Sequence, residues 1–142
     1  MALSFREQDA ILKRHKELLC AQCDYFQVYL EVLGKQKEVI KHGGVENILA
    51  YVEAGEKISA DIIAIQKVID PLEKTSPSSK NYEIIKIKTA LERLNQTLRL
   101  QIEENKVLLS NRMASLAAEI KAIQENPMRS RISTPSYVDI EI

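Results

Sequence analysis

The amino-acid sequence predicts an all-α protein, an antiparallel bundle of three long helices with a mobile C-terminal tail. Apolar side chains return every three or four residues along three stretches, which places them on one face of an α-helix. Two short connections rich in Gly, Pro and Ser separate these stretches, and short connections favour antiparallel neighbours. Composition agrees, because the 142 residues include no Trp, only four Gly and only four Pro.

Charge and hydropathy exclude several classes of partner. The 20 basic and 20 acidic residues balance, and no block of one sign stands out, which argues against binding to nucleic acid through a basic patch. No run approaches the roughly 18 apolar residues of a membrane span. Charged residues also interrupt the apolar positions near the N-terminus, unlike a secretory signal. We therefore expect a cytoplasmic protein that does not insert into membranes.

The first predicted helix begins after Ser4, which can cap it, with Glu7 as the capping-box partner three residues later. Its apolar stripe continues past Gly34, which costs about 1 kcal/mol relative to Ala. His42-Gly43-Gly44 should end it, since a glycine just past the last turn adopts the left-handed conformation easily.

The second predicted helix runs from Val45 to Ile69. Pro71 lacks an amide donor and disfavours helical geometry in Asp70, so we expect the helix to stop or kink there. Ser79 is a candidate cap for the third helix.

The third predicted helix covers roughly residues 80–124 and has a length of about 65 to 70 Å, against about 40 Å for the second. The segment 108–123 should therefore be less well covered than 84–98, and an exposed apolar stripe usually meets a partner. The alternative is that the long first helix covers it fully. The apolar stripe of the third helix consists of Ile84, Ile87, Leu91, Leu94, Leu98, Ile102, Leu109, Met113, Leu116, Ile120 and Ile123.

Three polar residues interrupt that stripe: Gln101, Asn105 and Arg112. A buried polar residue in a helical seam costs stability and fixes register or partner, whereas an exposed one marks the edge of the stripe. We expect one helical domain over residues 1–125 and a tail over 126–142. The tail is either a plain terminus or a short linear element that pairs with a partner or folds back on the bundle.

The sequence offers few candidates for chemistry. Cys20 and Cys23 form a C-x-x-C, but they lie mid-helix rather than at the helix N-terminus that activates a thiol. His15, interpreted as a surface residue, lacks the further ligands that a zinc site needs. Glu103-Glu104, and Glu53 with Glu56, lie on charged helical faces. We therefore predict no enzyme activity, no metal and no cofactor.

Three features together resemble the FlgN-type flagellar export chaperones: a small cytoplasmic helical chain, a middle helix and a long last helix. The middle helix is VENILAYVEAGEKI at residues 45–58, and within the last helix EENKVLLSNR at residues 103–112 is similar to the family's Asn-rich stretch. The resemblance implies a chaperone that keeps hook-filament junction proteins soluble and competent for secretion, and that also meets the export apparatus. The client would bind the last helix through Asn105, Leu108, Leu109, Arg112, Met113, Leu116 and Ile120.

Two other functions fit the same pattern. A coiled-coil scaffold or adaptor without a secretion client would use the stripe to close a homodimer. A phosphotransfer bundle would need an exposed histidine beside basic residues, and His15 between Arg14 and Lys16 is the candidate.

Overall fold

A computed structural model describes residues 3–75 and 80–125 of the chain. Three helices account for nearly all of these residues: α1 over Phe5–His42, α2 over Val45–Thr75 and α3 over Tyr82–Glu125. The predicted all-α fold of three long helices is confirmed. Within the described ranges, none of the helices combines the length and hydropathy needed to cross a bilayer.

The chain divides into two compact units, Met1–Asn105 and Lys106–Ile142. The division falls inside α3, twenty residues before the boundary at 125 that the sequence suggested. The predicted tail, residues 126–142, lies outside the described residues.

The first unit is a three-helix bundle, and its cross-helix contacts give the direction of each helix. Contacts between α1 and α2 run in opposite chain directions, so these helices are antiparallel. Contacts between α1 and α3 advance together, so these two are parallel. The pairs are His15 with Glu73, Gln22 with Gln66 and Gln36 with the Tyr51 carbonyl for α1 and α2, and Lys16 with Glu83 and Lys37 with Glu104 for α1 and α3.

The ends of α1 show one confirmed cap and one corrected one. The Glu7 amide donates to the Ser4 hydroxyl at 3.2 Å, so Ser4 is the predicted N-cap. Gly43 does end the helix, but its backbone is extended (φ −91°, ψ 173°) rather than left-handed. Its amide donates to the Val39 carbonyl at 2.7 Å, and a Cβ there would lie 2.8 Å from that oxygen. Glycine is thus required by this close approach.

Helix α2 is longer than predicted, because it continues through Pro71 to Thr75. Proline removes its own amide donor and its ring crowds the carbonyl four residues earlier, but the half-buried Leu72 just beyond it packs on the core. The packing of Leu72 therefore holds an additional turn in helical form. The Thr75 hydroxyl donates to the Leu72 carbonyl at 3.3 Å in this last turn.

Helix α3 begins at Tyr82, and its N-cap is Asn81. The Ile84 amide donates to the Asn81 side-chain oxygen at 3.1 Å, which satisfies one amide that the helix leaves unpaired. The predicted cap, Ser79, lies outside the described residues.

Two apolar clusters form the core of the first unit, and all three helices contribute to them. Burial of large aliphatic and aromatic side chains is the main stabilising term in such a bundle, at roughly 1.5 to 3 kcal/mol for each fully buried side chain. One cluster contains Leu18, Leu19, Ile69 and Ile84, and the other contains Phe26, Leu33 and Leu98.

Candidate partner-binding site

The helical part of the second unit, residues 106–125, encloses none of its side chains. Every residue in this segment is exposed or half-buried. Met113 is 61% exposed, Ile120 is 56% exposed and Ile123 is 47% exposed. These apolar side chains lie on one stripe with Leu109 and Leu116, because the five residues are separated by steps of four, three, four and three. The segment therefore presents a continuous apolar face with little cover.

Six of the seven predicted partner-binding residues lie in this segment. Met113 and Ile120 are exposed, and the other four, Leu108, Leu109, Arg112 and Leu116, are half-buried. Methionine suits a surface of this kind, since its flexible thioether adapts to differently shaped partners. The apolar and adaptable residues are thus available to a second helix.

Asn105, the seventh predicted residue, does not belong to an exposed surface. Its side chain is only 2% exposed. Its amide nitrogen donates to the Leu33 carbonyl and to the Gln36 side-chain oxygen, both at 2.9 Å. Asn105 is therefore removed from the partner-binding set, because its hydrogen-bonding capacity is used inside the bundle.

Asn105 is the centre of a buried polar layer that joins the three helices. The Gln101 amide donates to the Asn105 oxygen at 2.9 Å, and the Gln36 amide donates to the Tyr51 carbonyl at 3.3 Å. Such a layer fixes helix register, because any shift leaves enclosed polar groups without partners. Of the two roles predicted for these polar residues, the structure shows the buried one for Asn105, whereas Gln101 is half-buried.

A second polar layer lies further along the bundle. The Gln66 amide donates to the Asp70 carboxylate at 2.7 Å, which fixes the orientation of the Gln66 side chain because a carboxylate only accepts. The Gln66 oxygen then accepts from the Gln22 amide at 3.1 Å. Gln22 is 2% exposed, so this chain of amides also sets the register of α1 against α2.

His15 lies inside the bundle, which corrects its interpretation as a surface residue. Its side chain has no exposed area, and its Nε2 lies 3.5 Å from the Glu73 carboxylate on α2. Lys88 on α3 lies 2.9 Å from the same carboxylate oxygen. Burial lowers the pKa of His15, and the nearby Glu73 only partly opposes this effect. An enclosed, neutral histidine is unsuited to accept a phosphoryl group, so phosphotransfer at His15 is not supported.

Neither cysteine lies at a helix N-terminus, the position that activates a thiol. Both thiols are free, with Cys20 exposed and Cys23 half-buried in the middle of α1. Burial raises the pKa of Cys23, and Cys20 and Asp24 raise it further. A raised pKa keeps the thiol protonated, which is the opposite of what a nucleophile or metal ligand requires.

The remaining acidic candidates lie at the surface of the first unit. Glu104 pairs with Lys37 on α1, and the hydrogen bond from Lys37 lowers the pKa of its carboxyl. Glu53 and Glu56 are exposed on α2. Within residues 3–75 and 80–125, no group of three or more His, Cys, Asp or Glu residues is arranged to hold a metal ion.

The apolar periodicity of the sequence did not predict that Gln22 and Gln36 are buried, because both side chains are polar. Both lie on the inner stripe of α1, Gln22 between Leu19 and Phe26 and Gln36 between Leu33 and Ile40. Their position on the stripe is the signal that would have identified them. His15 occupies an equivalent position four residues before Leu19.

The fold and the site together define an all-α protein with a three-helix bundle fixed in register and an apolar helix face that is only partly covered. No family model and no solved structure matches this chain. An uncharacterized protein of Treponema pallidum (strain Nichols) is 31% identical to it over 113 residues, which cover 78% of this chain and 73% of that protein. The chain belongs to the same family as this treponemal protein.

Proposed function

We propose that this protein is a cytoplasmic export chaperone that binds hook-filament junction proteins of the flagellum through residues 106–125. The observation that carries the proposal is the apolar face of this segment, on which Met113 and Ile120 are each more than half exposed. A soluble client with an amphipathic helix would cover that face.

Binding would follow the helix-in-groove mode, in which an amphipathic helix lays its apolar side chains against those of its partner. Leu109, Leu116 and Ile120 would supply the aliphatic contacts, and Met113 would adjust to clients of different shape. The interaction would cover an aggregation-prone terminus of the client and keep it soluble until secretion. No catalytic step is involved.

The flagellar identity of the client in this proposal rests only on the resemblance of residues 45–58 and 103–112 to the FlgN-type chaperones. Within the second of these segments, the polar residues fall into two sets. Asn105 is enclosed in the bundle, whereas Asn111 is exposed, so Asn111 is the asparagine of this stretch that a client or the export apparatus could contact.

The experiment that tests this proposal is a binding titration with the C-terminal segment of a hook-filament junction protein. The double variant Met113→Asp, Ile120→Asp places two charges on the apolar face and should weaken binding by at least about 100-fold, since removing a few central apolar contacts costs several kcal/mol. Circular dichroism should show unchanged helicity, because both positions are exposed.

Leu100→Asp is the matched control. Leu100 is on the same helix and is 74% exposed, but it lies in the first unit and outside the proposed surface. The Leu100→Asp variant should bind the client segment with the same affinity as the unchanged protein. Equal loss of binding in Leu100→Asp and in the double variant, or no binding by the unchanged protein, would contradict the proposal.

The alternative function is a homo-oligomeric scaffold or adaptor without a secretion client. The same apolar face would then serve self-association alone. Failure to bind any junction-protein segment, combined with a stable oligomer, would favour this alternative over the chaperone.

A further inference from the structure

A groove in the first unit is lined by residues of all three helices. Its most deeply buried residues are Gln22 and Phe26 of α1, and it also includes Ile62 of α2 and Leu91 of α3. Phe26 belongs to the second of the two core clusters, and Ile62 and Leu91 pack against that cluster. The groove has a volume of about 410 Å³, which is within the range of pockets that hold small molecules.

The buried end of this groove contains a polar atom without a partner. The Gln22 side chain is 2% exposed, and its oxygen Oε1 accepts no hydrogen bond from the part of the chain that the structure describes. The amide nitrogen of the same side chain donates to Gln66, whose own amide donates to the Asp70 carboxylate. Because a carboxylate only accepts, this series of bonds fixes the orientation of both amides. Gln22 therefore retains an acceptor, not a donor, for a further group.

An enclosed acceptor without a partner costs stability, so such an atom in a native protein calls for an explanation. Gln66 is the groove residue that can give access to it, because its side chain is exposed and exposed side chains change rotamer within nanoseconds. A group that enters beside Gln66 and donates to Oε1 of Gln22 would satisfy this oxygen. A water molecule can do the same, and a ligand with an N–H group would replace it.

The charges around the groove favour a cation. Glu92, at the rim, is exposed, and its carboxylate forms no ion pair with any residue in 3–75 or 80–125. Among the described residues that line the groove, none is a lysine, an arginine or a histidine. A ligand with positively charged N–H donors would thus meet an acceptor at the buried end and a negative charge at the rim.

The size of the groove restricts what can occupy it. Its α2 residues span 62–66 and its α3 residues span 91–95, which is little more than one turn of each helix, or roughly 6 Å along the axis. A helix that docks in a groove uses contacts over about two turns or more. The groove is therefore too short for a client helix and suits one small molecule.

We propose that this groove binds a small organic ammonium ion, whose apolar body packs on Phe26, Ile62 and Leu91 and whose N–H group donates to Oε1 of Gln22. Glu92 supplies the charge that selects a cation. The remaining N–H groups stay hydrated at the open side of the groove, which avoids the cost of enclosing a whole charge. The site shares no residue with segment 106–125 and is independent of the proposed chaperone function.

The test is a titration of the full chain with 2-phenylethylamine at pH 7, followed through the NMR signals of the backbone amides. The dissociation constant should be roughly millimolar, because so small a ligand makes few contacts. The signals that shift should belong to residues that line the groove. The analogue trimethylated on nitrogen keeps the positive charge but has no N–H donor, and it should bind more weakly by about tenfold or more.

Two variants separate the contributions of the acceptor and the charge. Gln22→Met removes the acceptor, so the amine should lose its advantage over the trimethylated analogue. Glu92→Gln should weaken binding of both probes by about threefold, as expected for an exposed charge, and it tests the site even if Gln22→Met disturbs folding. Glu103→Gln, which removes an exposed carboxylate of α3 outside the groove, is the matched control and should bind both probes with the affinity of the unchanged protein.

Three outcomes of the titrations would overturn the proposal. These are no saturable binding of the amine, equal affinity of the unchanged protein for the two probes, and equal effects of Glu92→Gln and Glu103→Gln. A lysine-containing peptide that binds the groove when the amine does not would also overturn it, because the occupant would then be a protein side chain. Since no junction-protein segment is present, these results are separate from the titration that tests the chaperone function.

Discussion

Helix α3 carries the same apolar period in two regions that differ in how far their side chains are buried. In residues 82–105, Ile84 has no exposed area, Leu98 is 4% exposed and Asn105 is 2% exposed. In residues 106–125, no side chain is enclosed, and Ile120 is 56% exposed. Period alone thus identifies which face of a helix is apolar. Whether that face is core or binding surface depends on the neighbouring helices.

The largest expected effect comes from making one substitution in both regions. Ile84→Ala should lower the free energy of unfolding by about 2 to 5 kcal/mol, because it leaves a cavity in an enclosed cluster. Ile120→Ala should change it by less than about 0.5 kcal/mol, as at other exposed positions. Urea denaturation followed by circular dichroism measures both. Similar losses at the two positions would remove the distinction between the regions.

The asparagines give a second matched pair. Asn105→Ala should cost about 1 to 3 kcal/mol, because the Leu33 carbonyl, the Gln36 side-chain oxygen and the Gln101 side-chain NH₂ each lose Asn105 as a hydrogen-bond partner. Asn111→Ala, at an exposed position, should cost less than about 0.5 kcal/mol. The same denaturation experiment decides, and an equal cost for both would show that the polar layer does not fix the bundle.

The fold class was predictable because helical periodicity, good helix formers and two short connections all indicate the same structure. The ends of α1 and α2 were not fully predictable in the same way. Helix α2 continues through Pro71 because Leu72 beyond it packs against the core, and a rule based on local sequence does not include that packing. Gly43 ends α1 because its backbone lies close to Val39. The expectation of a left-handed glycine took into account only the backbone conformations that glycine prefers.

The apolar face of residues 106–125 was predictable in part for a similar reason, whereas its role in partner binding stays a prediction. The step pattern correctly identified an apolar face in Leu109, Met113, Leu116 and Ile120. The partner-binding prediction for Asn105 failed because a polar residue on a stripe is ambiguous until its neighbours are known.

Helix α1 shows the same ambiguity more fully. Its inner stripe alternates apolar residues with the polar residues His15, Gln22 and Gln36, and all three polar side chains are enclosed. A search restricted to apolar side chains omits these positions, although their spacing is the same.

The smallest expected effect is the pH dependence of the first unit. Because burial lowers the pKa of His15 below its ordinary value of 6.5, the unfolded chain takes up a proton at a pH where the folded chain does not. Stability is therefore full above about pH 6.5 and falls as the pH drops below it. The thermal unfolding midpoint should decrease between pH 7 and pH 5.5, above the range in which carboxylates titrate.

Variants of the two histidines show whether the pH dependence comes from His15 or from His42. His15→Gln should flatten the dependence in that window, whatever its effect on the midpoint at pH 7. His42→Gln, at the exposed end of α1, should retain it. A flat profile for the unchanged protein would show that His15 titrates normally in the folded state.

Amide hydrogen exchange along α3, with and without a junction-protein C-terminal segment, tests the contrast between the two regions most directly. In the free protein, amides of residues 84–105 should be strongly protected and those of 106–125 should exchange faster, because only the first region is packed. Adding the client segment should increase protection within 106–125 and leave 84–105 unchanged. Equal protection in the free protein would contradict the division of this helix into an enclosed and an exposed half, and a gain confined to residues 84–105 would contradict the proposed binding by the exposed half.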